Sequence, residues 1–467
     1  MMRRGVVACT MAAMLAGCAA NAPPAPPSSL QVPAEFRSRA GPAANGPALE
    51  RWWWQAFGDP VLGALVDRAL ANNGDLLVAR ARVAEYRARL AQADSSRRPA
   101  LSFDSAPTRA RTLAYNGEPY VSNVFQAELQ AGYEIDVWGR LARLSDAAAA
   151  SYRAEQASAD AAALSIAASV AAGYLNLRGL DAQLELAQAT LTLRQQSRDL
   201  ARRQFEVGYS SQLEWLQAQS EYHAAAELVP QLQRAIFEQE NALAILAGGN
   251  PGPVARGIPL ADLNPPPVPA GLPSDLLRRR PDIARAELNL LASNDSLAAI
   301  RDQLLPSFKL TAAGGVQAAT LTTFLNAPLA LWKLTGIVAG PIFDGGRVQA
   351  QTDAAAARRD QLAHAYEDTV RGAFAEADNG IGALARLREQ AQENDARRAT
   401  AADTLRIARN RYRNGYASYL EELDAQRTLY SADVGRLQLK TRMLVASVDL
   451  YRAMGGGWAA PPPIPAP

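Results

Sequence analysis

Three carboxylates sit where their spacing could matter. Glu421 and Asp424 lie three residues apart, one helical turn, on one face of a helix-forming stretch; Glu214 takes the equivalent place in an earlier stretch. Each stretch opens on a serine. Ser211-Gln212-Leu213-Glu214 and Ser418-Tyr419-Leu420-Glu421 both fit the capping box, in which serine holds the N–H three residues on. Gly208 and Gly415 stand just before them, where a left-handed residue ends the preceding helix. Capping accounts for Glu214 and Glu421. Asp424 caps nothing, and Gln217 holds its place in the earlier stretch. The chemistry open to such a set is electrostatic: carboxylates hold helix ends, or attract cations when copies face one another.

Covalent or metal chemistry has less to work with. His223 and His364 lie in different repeats, with no cysteine near either. Gly455-Gly456-Gly457 and Gly345-Gly346-Arg347 lack the lysine of a phosphate loop. No catalytic residue, metal or cofactor is expected. The 48 basic and 46 acidic residues leave a net charge of +2, which exerts no pull on nucleic acid. Arg279-Arg280, before Pro281, is read as structural. Cys9 and Cys18 both fall in the first eighteen residues, so a disulfide scaffold is excluded.

Cys18 has its own chemistry. Basic Met1-Met2-Arg3-Arg4 precedes a short apolar run that ends in Leu15-Ala16-Gly17-Cys18, which resembles a bacterial lipobox. Residues 1–17 are then a signal peptide. Cys18 becomes the first mature residue, carrying S-diacylglycerol and an N-acyl chain (palmitate, for example). Ala19, rather than aspartate, implies sorting to the outer membrane. Residues 18–60 form a tether, Pro-rich at 23–27, and the segment that leads into the first repeat. Trp52-Trp53-Trp54 reads equally as an interfacial anchor or as packing.

The elements that must position these residues come from one duplicated unit. Gly208-Tyr209 and Gly415-Tyr416 are 207 residues apart, and so are Gly139-Arg140 and Gly346-Arg347, Gly173 and Gly380, and Gly248-Gly249 and Gly455-Gly456. Glycine and proline mark backbone breaks, so matches among them carry weight. The units are 61–249 and 268–456, joined by a linker over 250–273 and followed by a Pro-rich tail over 457–467. Proline is absent from 120–229 and 342–460, which predicts long helices over 140–205 and 347–413. A helix of that length spans about 100 Å. A shorter helix is predicted over 65–98, ended by Pro99, and a return helix over 211–247, with a kink at Pro230.

Between the helices the period changes to two. Phe125, Ala127, Leu129, Ala131, Tyr133 and Ile135 alternate with Gln126, Glu128, Gln130 and Glu134. Strands are predicted over about 101–135 and 307–342, two per unit. No long apolar run follows the N-terminus, which excludes a helical membrane span but not a β-barrel. Four strands cannot close a barrel, and a bilayer forbids open edges. Crossing strands would therefore be shared between two chains, giving eight, or three, giving twelve.

Several motifs are similar to those of the TolC family of outer-membrane channels, in its lipidated NodT-like branch. They are Trp53-Trp54-Gln55-Ala56-Phe57-Gly58-Asp59-Pro60, Tyr133-Glu134-Ile135-Asp136-Val137-Trp138-Gly139-Arg140, Arg279-Arg280-Pro281-Asp282-Ile283, Arg411-Tyr412-Arg413-Asn414-Gly415 and Tyr419-Leu420-Glu421-Glu422-Leu423-Asp424-Ala425-Gln426. The resemblance covers nearly the whole mature chain. It implies a mainly α fold with transmembrane β: a homotrimer with a twelve-stranded barrel continued by a periplasmic α-helical barrel, with an equatorial belt formed by the 18–60 segment, the C-terminus and the 250–273 linker. It implies an exit duct for drugs and xenobiotics, served by a periplasmic adaptor and an inner-membrane pump of the RND type. It also implies a gate at the periplasmic tips, formed by Glu421 and Asp424 with Glu214 and braced by Tyr412. Ala417 departs from that pattern where a bracing basic residue sits, and Arg411 and Arg413 stand nearby. The competing classes are a lipid-anchored coiled-coil protein and a periplasmic adaptor; two hairpins with strands in both units speak against each.

Overall fold

The computed structural model describes residues 29–38, 51–267 and 273–458. The signal peptide, Cys18, part of the linker and most of the tail lie outside the described residues. The chain divides into two units: residues 1–29, 82–156 and 285–367, and residues 30–81, 157–284 and 368–467.

The first unit holds the sheet. Its strands are β1 (Ala100–Ser105), β2 (Thr108–Leu113), β3 (Pro119–Ile135), β4 (Ser307–Ala318) and β5 (Leu329–Ala339). All neighbours are antiparallel: β1 and β2 pair with β3, β3 with β4, and β4 with β5. Five strands replace the expected four, for a local reason. Ser105 opposes Ala127 and Thr108 opposes Val124, three residues on in each strand, so the register is unbroken. Pro107 has no N–H to donate, and the ladder lapses there. In register, β1 and β2 are one interrupted partner of β3.

The pairing lines up one apolar face. Phe103 opposes Leu129, Leu129 opposes Gly314, and Gly314 opposes Trp332; Tyr133 opposes Leu310. Leu101, Phe103, Leu129, Trp332, Leu334 and Val338 are all exposed. Glu128, Gln130, Lys309 and Thr311 alternate to the other face. At the foot of the sheet β3 passes into α3 (Arg140–Glu206). Asp136 accepts from the N–H groups of Leu141 at 3.1 Å and Ala142 at 2.8 Å, which caps the helix. Trp138 donates to the Pro306 carbonyl at 2.7 Å, and Arg140 pairs with Glu134 at 2.6 Å. The Tyr133–Arg140 motif is thus a strand-to-helix junction.

The second unit is helical. The helix predicted over 65–98 is two: α1 (Pro60–Asn72) and α2 (Gly74–Ser95). Asp59 caps α1, with proline at its first turn, which moves the start five residues upstream. Asn73 breaks the pair because its amide donates to the Leu246 carbonyl, at 2.9 Å. Leu246 ends α4 (Gln212–Leu246), which carries Pro230 inside it. The second repeat does the same. α5 (Pro273–Arg279) and α6 (Pro281–Arg301) break at Arg280, which donates to the Ala453 carbonyl at 3.0 Å. Ala453 ends α9 (Tyr419–Ala453), which follows α8 (Arg347–Arg413). A short helix, α7 (Leu321–Asn326), joins β4 to β5 in the first unit.

Duplication shows at atomic detail. α3 and α8 have 67 residues each, and α4 and α9 have 35 each. A Cβ at Gly173 would stand 2.9 Å from Leu243 Cδ2, and one at Gly380 3.1 Å from Leu450 Cδ1. Leu243 and Leu450 are themselves 207 residues apart. The same close helix approach is built twice.

Two expectations change. One window of α3 reaches a mean hydropathy of 1.3 with few charges, so length and composition alone do not exclude a helical span. Small alanines raise hydropathy without forming an apolar run; Ala167, Ala168 and Ala171 pack beside Val170, Tyr174 and Leu175 in the core. In Trp52-Trp53-Trp54, Trp53 stacks on Tyr451 at 5.3 Å and is buried, as is Trp54. Only Trp52 is exposed, so packing claims the other two. Asp59 earns its place in that motif as well, accepting from the buried Tyr174 hydroxyl at 2.8 Å.

Candidate functional site: the helix-hairpin tips

Each hairpin turns on a glycine. Gly208 and Gly415 both have φ of 75°, a conformation that a side chain makes costly. The Tyr209 N–H donates to the Gln204 carbonyl at 2.7 Å and Tyr416 N–H to Arg411 at 2.9 Å, while each glycine bonds three residues back. This paired pattern is the Schellman motif, and it closes both long helices.

The returning helices start differently. Ser211 Oγ accepts from the Glu214 N–H at 3.3 Å, so α4 has its serine cap. Ser418 makes no side-chain cap bond, which corrects the capping-box reading at the second tip. There the Glu421 N–H goes to the Ser418 carbonyl oxygen at 3.2 Å. The Glu421 carboxylate turns to Arg411 at 3.7 Å, and Arg411 also donates to the Tyr416 carbonyl. Of the two cations near Ala417, Arg411 is thus the one that meets an acidic tip residue.

Glu421 and Asp424 are exposed. Tyr412 is half-buried, its ring 5.7 Å from that of Tyr419. Burial, with the negative charges of Glu214 and Glu422 beside it, pushes the Tyr412 hydroxyl up to about 12. The structure therefore gathers Tyr412 and Glu214 in one electrostatic neighbourhood. It sets Glu421 and Asp424 on the outer side of α9.

Behind them runs a network that spacing did not reveal. Glu422 is buried; its Oε1 accepts from Arg409 at 3.2 Å and from the Gln426 amide at 2.8 Å. Gln426 in turn accepts from the buried Arg194 of α3. Arg194 pairs with Glu221 of α4 at 3.4 Å, and Glu221 accepts from Arg427 Nε at 3.0 Å. Arg427 also feels the charge of Asp424. Charged side chains from all four tip helices thus meet, beside a groove of about 410 Å³ that Tyr412 and Tyr419 line. No catalytic geometry is needed to account for them. The acids and guanidinium groups link one hairpin to the other and leave two carboxylates facing outward.

The comparisons with known proteins agree with this architecture. The profile of the outer membrane efflux protein family matches residues 65–249 and again residues 272–456. The pyoverdine export outer membrane protein OpmQ of Pseudomonas putida is 33% identical over 462 residues, 96% of each chain. In fold, the CmeC outer membrane channel of Campylobacter jejuni superposes with a TM-score of 0.87 at 24% identity, over 95% of this chain and 96% of that one. The open state of the MtrE outer membrane channel of Neisseria gonorrhoeae gives 0.83 at 28% identity, over 94% and 98%. The matched stretches take in both hairpins and the strands of each repeat, and the chain belongs to the outer membrane efflux protein family.

Proposed function

We propose that this chain is the outer-membrane exit duct of a tripartite efflux system for drugs and other xenobiotics. The observation that carries the reading is the sheet, in a chain of this channel family. It has an exposed apolar face across β1, β3, β4 and β5, and its outer edges, β1/β2 and β5, have no strand partner among the described residues. A bilayer tolerates such strands only in a closed barrel. Three copies, each supplying the four-strand register, would close twelve strands. The long helices would continue below as a periplasmic tunnel. Cys18, lipidated, would tether each protomer to the outer membrane.

The tips would be the gate. Threefold symmetry turns Glu421 and Asp424 into rings of carboxylates around a narrow opening, where like charges resist crowding and attract cations. The Arg411–Glu421 pair offsets part of that charge. A periplasmic adaptor would part the hairpins and join the duct to an inner-membrane pump, of the RND type. No catalytic step enters this function.

Deleting the gene should raise intracellular accumulation of pump substrates, and the full chain should restore export. A panel of dyes and antibiotics that accumulates equally with and without the gene would refute the proposal. Cys18→Ala should abolish incorporation of labelled palmitate, and its retention would refute the anchor. Native mass measurement of the detergent-extracted protein should read three chains; a monomer or dimer would refute the trimer.

A further inference from the structure

The apolar face of the sheet has a measurable height. Phe125 and Ile135 are ten residues apart on β3, or about 33 Å along the strand. At a typical barrel tilt this rises about 25 Å, the thickness of the apolar band of such barrels. Phe125 then marks the rim away from the helices. Beyond it the same face changes character. Arg109 opposes Asn123 and Arg111 opposes Val121, two and four residues past Phe125, about 5 and 10 Å higher.

Both arginines lie on the side of the sheet that carries Leu101 and Phe103, because the register from β1 to β2 is continuous. Both are exposed, and neither makes an ion pair among the described residues. A second feature sits at the same rim. The Phe324 ring of α7 lies 6.4 Å from that of Phe125, and Leu321 and Leu325 of that helix are exposed. An amphipathic turn of helix placed at the end of the apolar band, its Leu321, Phe324 and Leu325 beside Thr322, Thr323 and Asn326, with two unpaired guanidinium groups at the same rim, has the order of a bilayer interface: hydrocarbon, boundary, phosphate.

We propose that Arg109 and Arg111 hold the phosphate groups of outer-leaflet lipid, with lipid A as the fitting class. The guanidinium fork matches phosphate oxygens in bidentate fashion and is weakly hydrated, so it suits a headgroup contact better than an ammonium does. Phe324 and the α7 leucines take the first acyl carbons below. The proposal rests on the reading that the apolar face meets lipid.

The test uses the purified full chain in neutral detergent, titrated with diphosphoryl lipid A, with lipid A stripped of both phosphates, and with inorganic phosphate. Replacing Arg109→Gln and Arg111→Gln together should weaken lipid A binding about thirtyfold at physiological salt. Arg109→Lys with Arg111→Lys, which keeps the charge but loses the fork, should bind more weakly than wild type and more tightly than the glutamine pair, and lysine binding no better than glutamine would overturn the proposal. Equal binding by wild type and the glutamine pair overturns the proposal. Equal binding of phosphate-free lipid A overturns it too. Inorganic phosphate held as tightly as lipid A would make this an ion site and equally overturn it. Brominated lipids test the underlying reading separately. Trp332 is exposed on the same face, so its fluorescence should be quenched, and Trp332→Phe should remove that component. Absent quenching sinks the lipid-facing reading; intact quenching with unchanged lipid A binding sinks only the arginine role.

Discussion

Glu221→Gln is the substitution that the tip network makes most informative. The Glu221 side chain is 12% exposed and stands between two guanidinium groups with different surroundings: Arg194, 7% exposed, and Arg427, 58% exposed. Removing one partner from a buried pair costs about 3–5 kcal/mol, because the other charge stays uncompensated. Glutamine still offers one oxygen and Arg194 keeps its bond to Gln426, so the cost falls to about 2–3 kcal/mol. Arg194 and Glu221 lie on α3 and α4 of one hairpin, so that is a factor of about 30 to 150 in the local opening of the first hairpin, from which the links to Gln426 and Arg427 of the second are made. Arg427→Ala removes only the solvent-screened half, worth about 0.2–1 kcal/mol. Planar-bilayer recordings should show frequent openings to a larger conductance in Glu221→Gln and few in Arg427→Ala. Amide exchange in the first turns of α4 should rise in the same order. Equal effects of the two substitutions, or no effect of Glu221→Gln, would refute the idea that a buried Arg194–Glu221 pair braces the first hairpin at its tip.

Other consequences follow from geometry and charge. Asp424→Ala should change single-channel conductance or divalent-cation block, and unchanged values of both would end the role given to Asp424. Gly380→Ala puts a Cβ 3.1 Å from Leu450 Cδ1, where overpacking of about 1–3 kcal/mol opposes the helix-propensity gain of about 1 kcal/mol, so its melting temperature should fall below that of Gly372→Ala. Gly372→Ala, in the same helix with nothing near, should raise the melting temperature above wild type by the helix-propensity gain of about 1 kcal/mol. A pH dependence should centre on Asp282. Burial pushes this carboxyl up, but the paired Arg280 guanidinium outweighs it and holds it below the usual carboxylate value. Its contribution is present above the unfolded value of about 3.9 and is lost as pH falls through the folded one. The melting temperatures of wild type and Asp282→Asn should therefore differ at pH 7 and converge in acid. A gap that stays constant down to pH 2 would contradict the pairing.

Backbone breaks were the legible part of this chain. Glycines at 208 and 415 carry positive φ, and glycines at 173 and 380 let helices approach, so their types follow from backbone and contact demands. The split at Asn73 was not legible, since it is set by the Leu246 carbonyl 173 residues downstream, whereas Pro281 announced the helix start after Arg280. The alternation over 125–135 is clean because one face is apolar and the other polar. Over 108–113 both faces carry polar residues, so β2 has no period-two signal to read. At the tips, cap patterns pointed to Glu214 and Glu421. Glu422 left no pattern: its burial depends on Arg409, thirteen residues away across a turn, and on Gln426, which reaches Arg194 of the other hairpin. A buried arginine has the same letter as an exposed one, and only tertiary packing separates them.

Conductance of the purified full chain in planar bilayers tests the central claim most directly. The exit-duct account predicts discrete, small conductance steps from the wild type, which grow when Glu421→Ala and Asp424→Ala are combined or Glu221→Gln is introduced. A protein that inserts as a stable oligomer yet passes no ions, in the wild type and in every tip variant, would contradict it.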